Sequence, residues 1–160
     1  MAKIIVIKED TESINASDFD KKIKHLVIQG DNTSIEGSFN TQSEIIMHVP
    51  RESKSEEYAK EHNIKFDNKQ LYKVTKYGDV YYPDEVYYGM KVGIRFVLAY
   101  SAPHAEYHVY DHDATEYKYC CAELADPSAD ITIRRNVEIA SDVEPKYSEA
   151  YLALAGHIDQ

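Results

Sequence analysis

Tryptophan is absent from this sequence, and phenylalanine occurs only four times. Aromatic volume must therefore come from tyrosine, of which there are 14, and each tyrosine hydroxyl that is buried needs a partner. Cysteine is nearly absent too. Cys120 and Cys121 are neighbours, and a ring closed between adjacent residues is strained. Two free thiols on opposite faces of a strand are expected, with no disulfide framework. Positive charge is scarce: 18 Lys+Arg stand against 28 Asp+Glu, for a formal charge of −10. The shortage falls on one half. Residues 1–75 carry 11 basic and 13 acidic side chains, whereas residues 76–160 carry 7 and 15. This argues against direct nucleic-acid binding, which needs a basic footprint. It suits a protein partner with a basic surface. No apolar run approaches the length of a bilayer span, so no membrane association is expected. Met1-Ala2-Lys3 leads straight into Ile4–Ile7, too short for a signal peptide with a cleavage site, and the expected location is the cytoplasm. Gly-x-Gly-x-x-Gly, P-loop and Gly-x-Ser-x-Gly patterns are all missing, and no cofactor is expected.

What is present begins with a repeat. Ile5-Val6-Ile7 through Ser17 lies over Leu26-Val27-Ile28 through Ser38 at an offset of 21 residues without a gap. The shared pattern reads apolar-Val-Ile-x-x-Asp-x-x-Ser-Ile-x-x-Ser. A further step of 21 reaches Met47-His48-Val49. Val-Ile runs favour strands, and the Asp, Asn, Ser and Gly between them favour turns. A period in the twenties predicts one short strand per coil, stacked on the next. Strands are expected at Ile4–Ile7, Leu26–Ile28 and Ile45–Val49. A short helix capped by Ser53 or Ser55 should follow, with Glu56 and Glu57 in its first turn and Asn63 as a left-handed stop.

Ser-Ile-x-x-Ser followed by Phe19 and Phe39 resembles the BspA-type leucine-rich repeat. Glu44-Ile45-Ile46-Met47-His48-Val49-Pro50 with Tyr58-Ala59 and Ile64-Lys65-Phe66 is similar to the last coil and terminal cap of such arrays. The resemblance covers residues 4–66 and implies a binding scaffold. It departs from the family in having only about three coils, and Asp18-Phe19 and Ser38-Phe39 stand where an Ala-Phe pair is usual.

Asp67-Asn68-Lys69 marks the expected domain boundary: residues 1–67 as a leucine-rich-repeat-like scaffold and 68–160 as an acidic, Tyr-rich domain. The overall class is α+β and mostly β, the second domain mainly antiparallel. In it, Leu71–Val74 and Val80–Tyr82 read as strands separated by a turn at Lys76-Tyr77-Gly78-Asp79. Lys91–Tyr100 reads as the central strand, with Gly93 marking a bulge or a close backbone approach. Glu106–Tyr119 reads as a hairpin turning near Asp111–Asp113. Ile131–Ile139 alternates as a strand. Pro145 precedes a terminal helix from about Lys146 to Gly156. The Ile4 edge of the coils is expected to be covered by a second copy of the chain, giving a homodimer, or by that terminal helix.

Eleven tyrosines fall between Tyr72 and Tyr119, including the doublets Tyr81-Tyr82 and Tyr87-Tyr88. In an alternating strand one member of each doublet faces outward. Exposed tyrosine beside carboxylates is good interface material. The candidate partner-binding set is Asp79, Tyr81, Tyr82, Asp84, Glu85, Tyr87, Tyr88, Glu106, Tyr110, Asp111 and Asp113. The alternative for the same tyrosines is core packing. A strand over His104-x-Glu106-x-His108-x-Tyr110-x-His112 would align His104, Glu106, His108 and His112 as metal-ligand types, and a solvent-facing polar row explains them without a metal. The leading expectation is a non-enzymatic protein-interaction module. One alternative is a phage-type inhibitor, anti-CRISPR-like or otherwise anti-defence, mimicking nucleic acid in a partner's groove. Another is a metal-dependent enzyme using the His row.

Overall fold

The computed structural model describes residues 2–19, 23–39, 44–112 and 117–143. Its elements run β1 (Ala2–Ile7), β2 (Ser13–Asn15), a 3-10 turn at Ala16–Asp18, β3 (His25–Ile28), β4 (Ser34–Glu36) and β5 (Ile46–His48). Then come α1 (Lys54–Glu61), β6 (Phe66–Asp67), β7 (Gln70–Tyr81), β8 (Val86–Ala99), α2 (Ala102–His112), β9 (Tyr119–Leu124) and β10 (Ile131–Ile139). The class is α+β and mostly β. Two compact units are present. One comprises Met1–Leu71 with Asp126–Val137, the other Tyr72–Ala125 with Glu138–Gln160.

In the first unit the parallel register carries the 21-residue period. Ile5 pairs with Leu26, Val6 with Val27 and Ile7 with Ile28. Leu26 pairs with Met47 and Val27 with His48 at the same step, whereas Met47 pairs with Phe66 at a step of 19. A second parallel ladder keeps the same step, with Ser13 on Ser34 and Ile14 on Ile35. Strands buried on both faces read as continuous apolar runs, and Ile4, Ile5, Val6 and Ile7 are all buried. One face packs Ile5, Ile7, Leu26, Ile28, Met47 and Val49 against Ile14, Ile23, Ile45, Tyr58 and Ala59. Tyr58 and Ala59 come from α1, whose first turn is closed by Ser53: its Oγ accepts from the Glu56 N–H at 3.1 Å. The Tyr58 hydroxyl donates to the Gly37 carbonyl at 2.7 Å. Asn63 adopts a φ of 53°, the expected left-handed stop.

The turns stack as the strands do. Thr33 Oγ1 donates to the Thr11 carbonyl at 2.7 Å, and the Ser34 N–H to the Glu12 carbonyl at 2.9 Å. Gly30 permits this closeness, because a Cβ there would stand 2.3 Å from the Glu9 carbonyl oxygen. Backbone cannot yield cheaply, so Gly30→Ala is expected to lower stability by about 1–3 kcal/mol, the usual cost of overpacking. A thermal melt checks this. An unchanged melting temperature would mean that the turns are not packed as described.

The Ile4 edge, expected to lie under a second copy or the terminal helix, is taken by β10. β10 pairs antiparallel with β1, setting Ile5 against Ile133 and Ile7 against Ile131. Residues 126–137 thus return to the first unit, although the expected split at residue 67 placed them in the second. The expected helix at Lys146–Gly156 lies outside the described residues.

The second unit is built on β7, β8 and β9. β9 pairs antiparallel with β7 from Tyr72–Leu124 to Tyr77–Tyr119. β8 lies on the other side of β7, and the end of β10 joins β8 in parallel, Glu138 on Val97 and Ile139 on Leu98. The core is Val74, Val97, Ala99, Cys120 and Ala140, covered by Ala105 and Val109 of α2. Cys120 is buried there and Cys121 half-buried, both as free thiols.

Two expectations are corrected here. β7 runs unbroken through Lys76–Asp79, where a turn was expected. Gly78 lies within the strand, where a Cβ would make only ordinary contact, 3.5 Å from the Tyr117 backbone. Glu106–His112 is helical rather than one arm of a hairpin, because Ala105 and Val109, four residues apart, bury one helical face. The Ser101 hydroxyl accepts from the His104 N–H at 3.2 Å and opens that helix. Gly93 does mark a close approach, with Lys76 Cε 2.8 Å from its Cβ position.

Candidate docking surface

β9 flanks β7 only as far as Tyr77. Beyond it, among the described residues, β7 and β8 continue as a two-stranded ribbon. The turn is closed by Tyr82 N–H to the Glu85 carbonyl at 2.8 Å and Glu85 N–H to the Tyr82 carbonyl at 3.3 Å, with Pro83-Asp84 between them. Residues Tyr81 to Val92 are all exposed. Isolated two-stranded hairpins are marginal in water, so local contacts hold this one. Tyr82 and Tyr87 meet edge to face at 5.4 Å, and the Tyr87 hydroxyl donates to Glu85 Oε2 at 2.5 Å. That hydrogen bond, together with desolvation, raises the Tyr87 phenol. Gly89, at a φ of 64°, donates its N–H to Asp79 Oδ1 at 3.3 Å. Lys118 Nζ pairs with Asp79 Oδ2 at 2.8 Å and lies over the Tyr88 ring.

Both members of each doublet are exposed, not one. Tyr81 and Tyr88 each expose 73% of their surface, Tyr82 58% and Tyr87 43%. The core reading therefore fails for these four. Val86, Met90, Val92 and Ile94 are exposed alongside them. A 420 Å³ hollow is lined by Val80, Tyr82, Pro83, Tyr87 and Met90, with Asp84 and Glu85 at the turn. Contiguous apolar exposure makes the ribbon a candidate interaction surface. The aliphatic members were missed, yet the even-numbered row Val86, Tyr88, Met90, Val92, Ile94 was readable as a period-two stripe.

The acidic members divide. Asp84 and Glu85 are exposed at the turn. Asp79 is spent internally: the Lys118 hydrogen bond, aided by the Gly89 N–H, holds its carboxyl below the usual range. Glu106 lies on α2, and its Oε1 accepts from the Ala122 N–H at 3.0 Å. Tyr110 and Asp111 are exposed near the end of α2, apart from the ribbon in sequence. Asp113 lies outside the described residues.

The His row follows from α2 being a helix. His104, His108 and His112 recur every fourth residue, while Glu106 falls on a different face. Each His is engaged. His104 Nδ1 accepts from the Tyr100 N–H at 3.1 Å, and its Nε2 lies 3.3 Å from Ser141 Oγ. His108 Nε2 lies 3.1 Å from Glu138 Oε1, and Arg95 grips the same carboxylate in a fork. Burial first, against the Glu138 hydrogen bond, lowers the His108 imidazole. His112 Nδ1 donates to the His108 carbonyl at 2.9 Å. Among the described residues, no group of three or more His, Cys, Asp or Glu side chains is arranged to hold a metal ion. No helix among them is long and apolar enough to cross a membrane.

Compared with known proteins, the chain matches no family model, no curated protein sequence and no solved structure.

Proposed function

We propose that this chain is a non-enzymatic protein-interaction module that docks through the β7–β8 ribbon. The observation that carries the reading is the exposure of all four doublet tyrosines on one hairpin, beside Val86 and Met90. Rigid aromatic side chains on a strand pair give large contact area at low conformational cost. The partner is a protein with an apolar groove rimmed by Lys or Arg, which Asp84 and Glu85 meet at the turn. The first unit acts as the scaffold. Its reading as a leucine-rich-repeat-like stack is supported by two parallel ladders that share the 21-residue step. A nucleic-acid mimic would need a row of free carboxylates. Asp79 and Glu106 are engaged within the protein, which favours aromatic anchoring over phosphate mimicry.

Rim charge sets the rate of encounter, and buried anchors set residence time. Asp84→Lys with Glu85→Lys is expected to slow association with the captured partner several-fold and to flatten its salt dependence. Dissociation should change little. Surface-plasmon kinetics at two salt concentrations measure both. Unchanged association at both would remove the basic rim from the proposal.

A further inference from the structure

The parallel register of the first unit brings together three polar side chains that the ribbon does not use. His48 of β5 stands opposite Asp67 of β6. His25 of β3 lies two residues from Val27, the partner of His48, and so on the same face. His48 Nδ1 is 2.7 Å from Asp67 Oδ1, and His25 Nδ1 is 2.9 Å from His48 Nε2. Asp67 Oδ1 also accepts from the Lys69 N–H at 3.0 Å. The rings of His25 and His48 are nearly parallel, 5.2 Å apart.

The direction of these bonds follows from chemistry. Burial alone would raise the Asp67 carboxyl, but the His48 and Lys69 contacts outweigh it and hold it below the usual range. A carboxylate only accepts. The proton between Asp67 and His48 therefore belongs to His48 Nδ1. Taken with both rings neutral, His48 Nε2 accepts and His25 Nδ1 donates to it. That leaves His25 Nε2 as a lone-pair acceptor, with no hydrogen-bond partner among the described residues. Burial, the largest cause, lowers the His25 imidazole, which favours its uncharged form.

His25 lines a cavity of about 730 Å³. The walls include Phe39, Ile45, Ile46, Tyr58 and Ile64. These surfaces suit a ring. Among the described residues, Lys24 and Lys65 also line the cavity against one carboxylate, Glu44, which disfavours a cationic ligand. We propose that this cavity binds a small uncharged or acidic molecule with an apolar, ring-sized body and a hydroxyl group that donates to Nε2 of His25. Asp67 and His48 act as positioning residues that fix the tautomer of His25.

The test uses 2-naphthol and its methyl ether, 2-methoxynaphthalene, which share a body and differ in the donor. Titrated against the full chain by fluorescence, 2-naphthol is expected to bind on the order of tenfold tighter, because the ether cannot donate to His25 Nε2. His25→Phe should erase that difference while both probes still bind. Long-range proton–nitrogen NMR of the unmodified protein gives a reading that needs no variant. His25 and His48 should both carry their proton on Nδ1, and the His25 Nε2 resonance should shift when 2-naphthol is added. Equal affinity for the two probes, absence of binding at the solubility limit, or a His25 ring protonated at Nε2 would each overturn the proposal.

Discussion

Ile28→Asp is expected to unfold the first unit. Ile28 is fully buried, with Ile7 paired beside it and Leu26, Met47 and Val49 in the same core. A carboxylate there would sit among apolar side chains, and an unpaired charge in an apolar core costs several kcal/mol or forces the chain open. A domain holds about 5–15 kcal/mol in total, so one such change consumes a large part of it. Ile28→Val, which removes one methylene, should cost only about 0.5–1.5 kcal/mol. Circular dichroism melts of the two variants side by side measure the contrast. Equal melting temperatures for Ile28→Asp and the parent would mean that the parallel strands do not share one core.

The second large effect is on binding. Combined Tyr81→Ala, Tyr82→Ala and Tyr88→Ala should weaken partner binding by about 100-fold or more, since each aromatic anchor at an interface centre can be worth about 2 kcal/mol. The same changes delete the Tyr82–Tyr87 edge contact and the Tyr88 ring beneath Lys118, and should cost about 1–2 kcal/mol, well short of unfolding the chain. Tyr58→Ala provides the opposite case. Its ring packs in the first core and its hydroxyl closes on Gly37, so truncation should cost about 3–5 kcal/mol, as for other buried aromatics. A ribbon triple variant that melts as early as Tyr58→Ala would make those tyrosines structural.

The sequence exposes the first unit's register because its signals are local. Val6-Ile7 and Val27-Ile28 repeat at a fixed step, each with turn residues after it, and a parallel ladder needs only that step. The return of β10 onto β1 was not legible. Its Ile131 and Ile133 alternate as in any half-exposed strand, and nothing local names a partner more than a hundred residues away. The α2 helix was misread because His104, Glu106, His108 and Tyr110 alternate polar types at a period of two. Its real signals were Ser101 as cap, Pro103 in the first turn, and Ala105 with Val109 at helical spacing. Gly78 misled for a related reason. A glycine in Lys-Tyr-Gly-Asp suggests a turn, but here it sits in an unbroken strand with no positive φ and room for a side chain. The tyrosine doublets were found from composition alone. That both members of each would be exposed depends on β9 ending its pairing at Tyr77, a fact of tertiary structure.

The most direct measurement is affinity capture with isotope-labelled quantification, run on three forms of the chain, each folded at the capture temperature. One is the parent, one the Tyr81/Tyr82/Tyr88 triple variant, and one Tyr110→Ala, which removes an exposed tyrosine of α2. The account predicts a stoichiometric partner retained by the parent and by Tyr110→Ala and lost from the triple variant. The same partner recovered equally by all three forms would contradict docking through the ribbon.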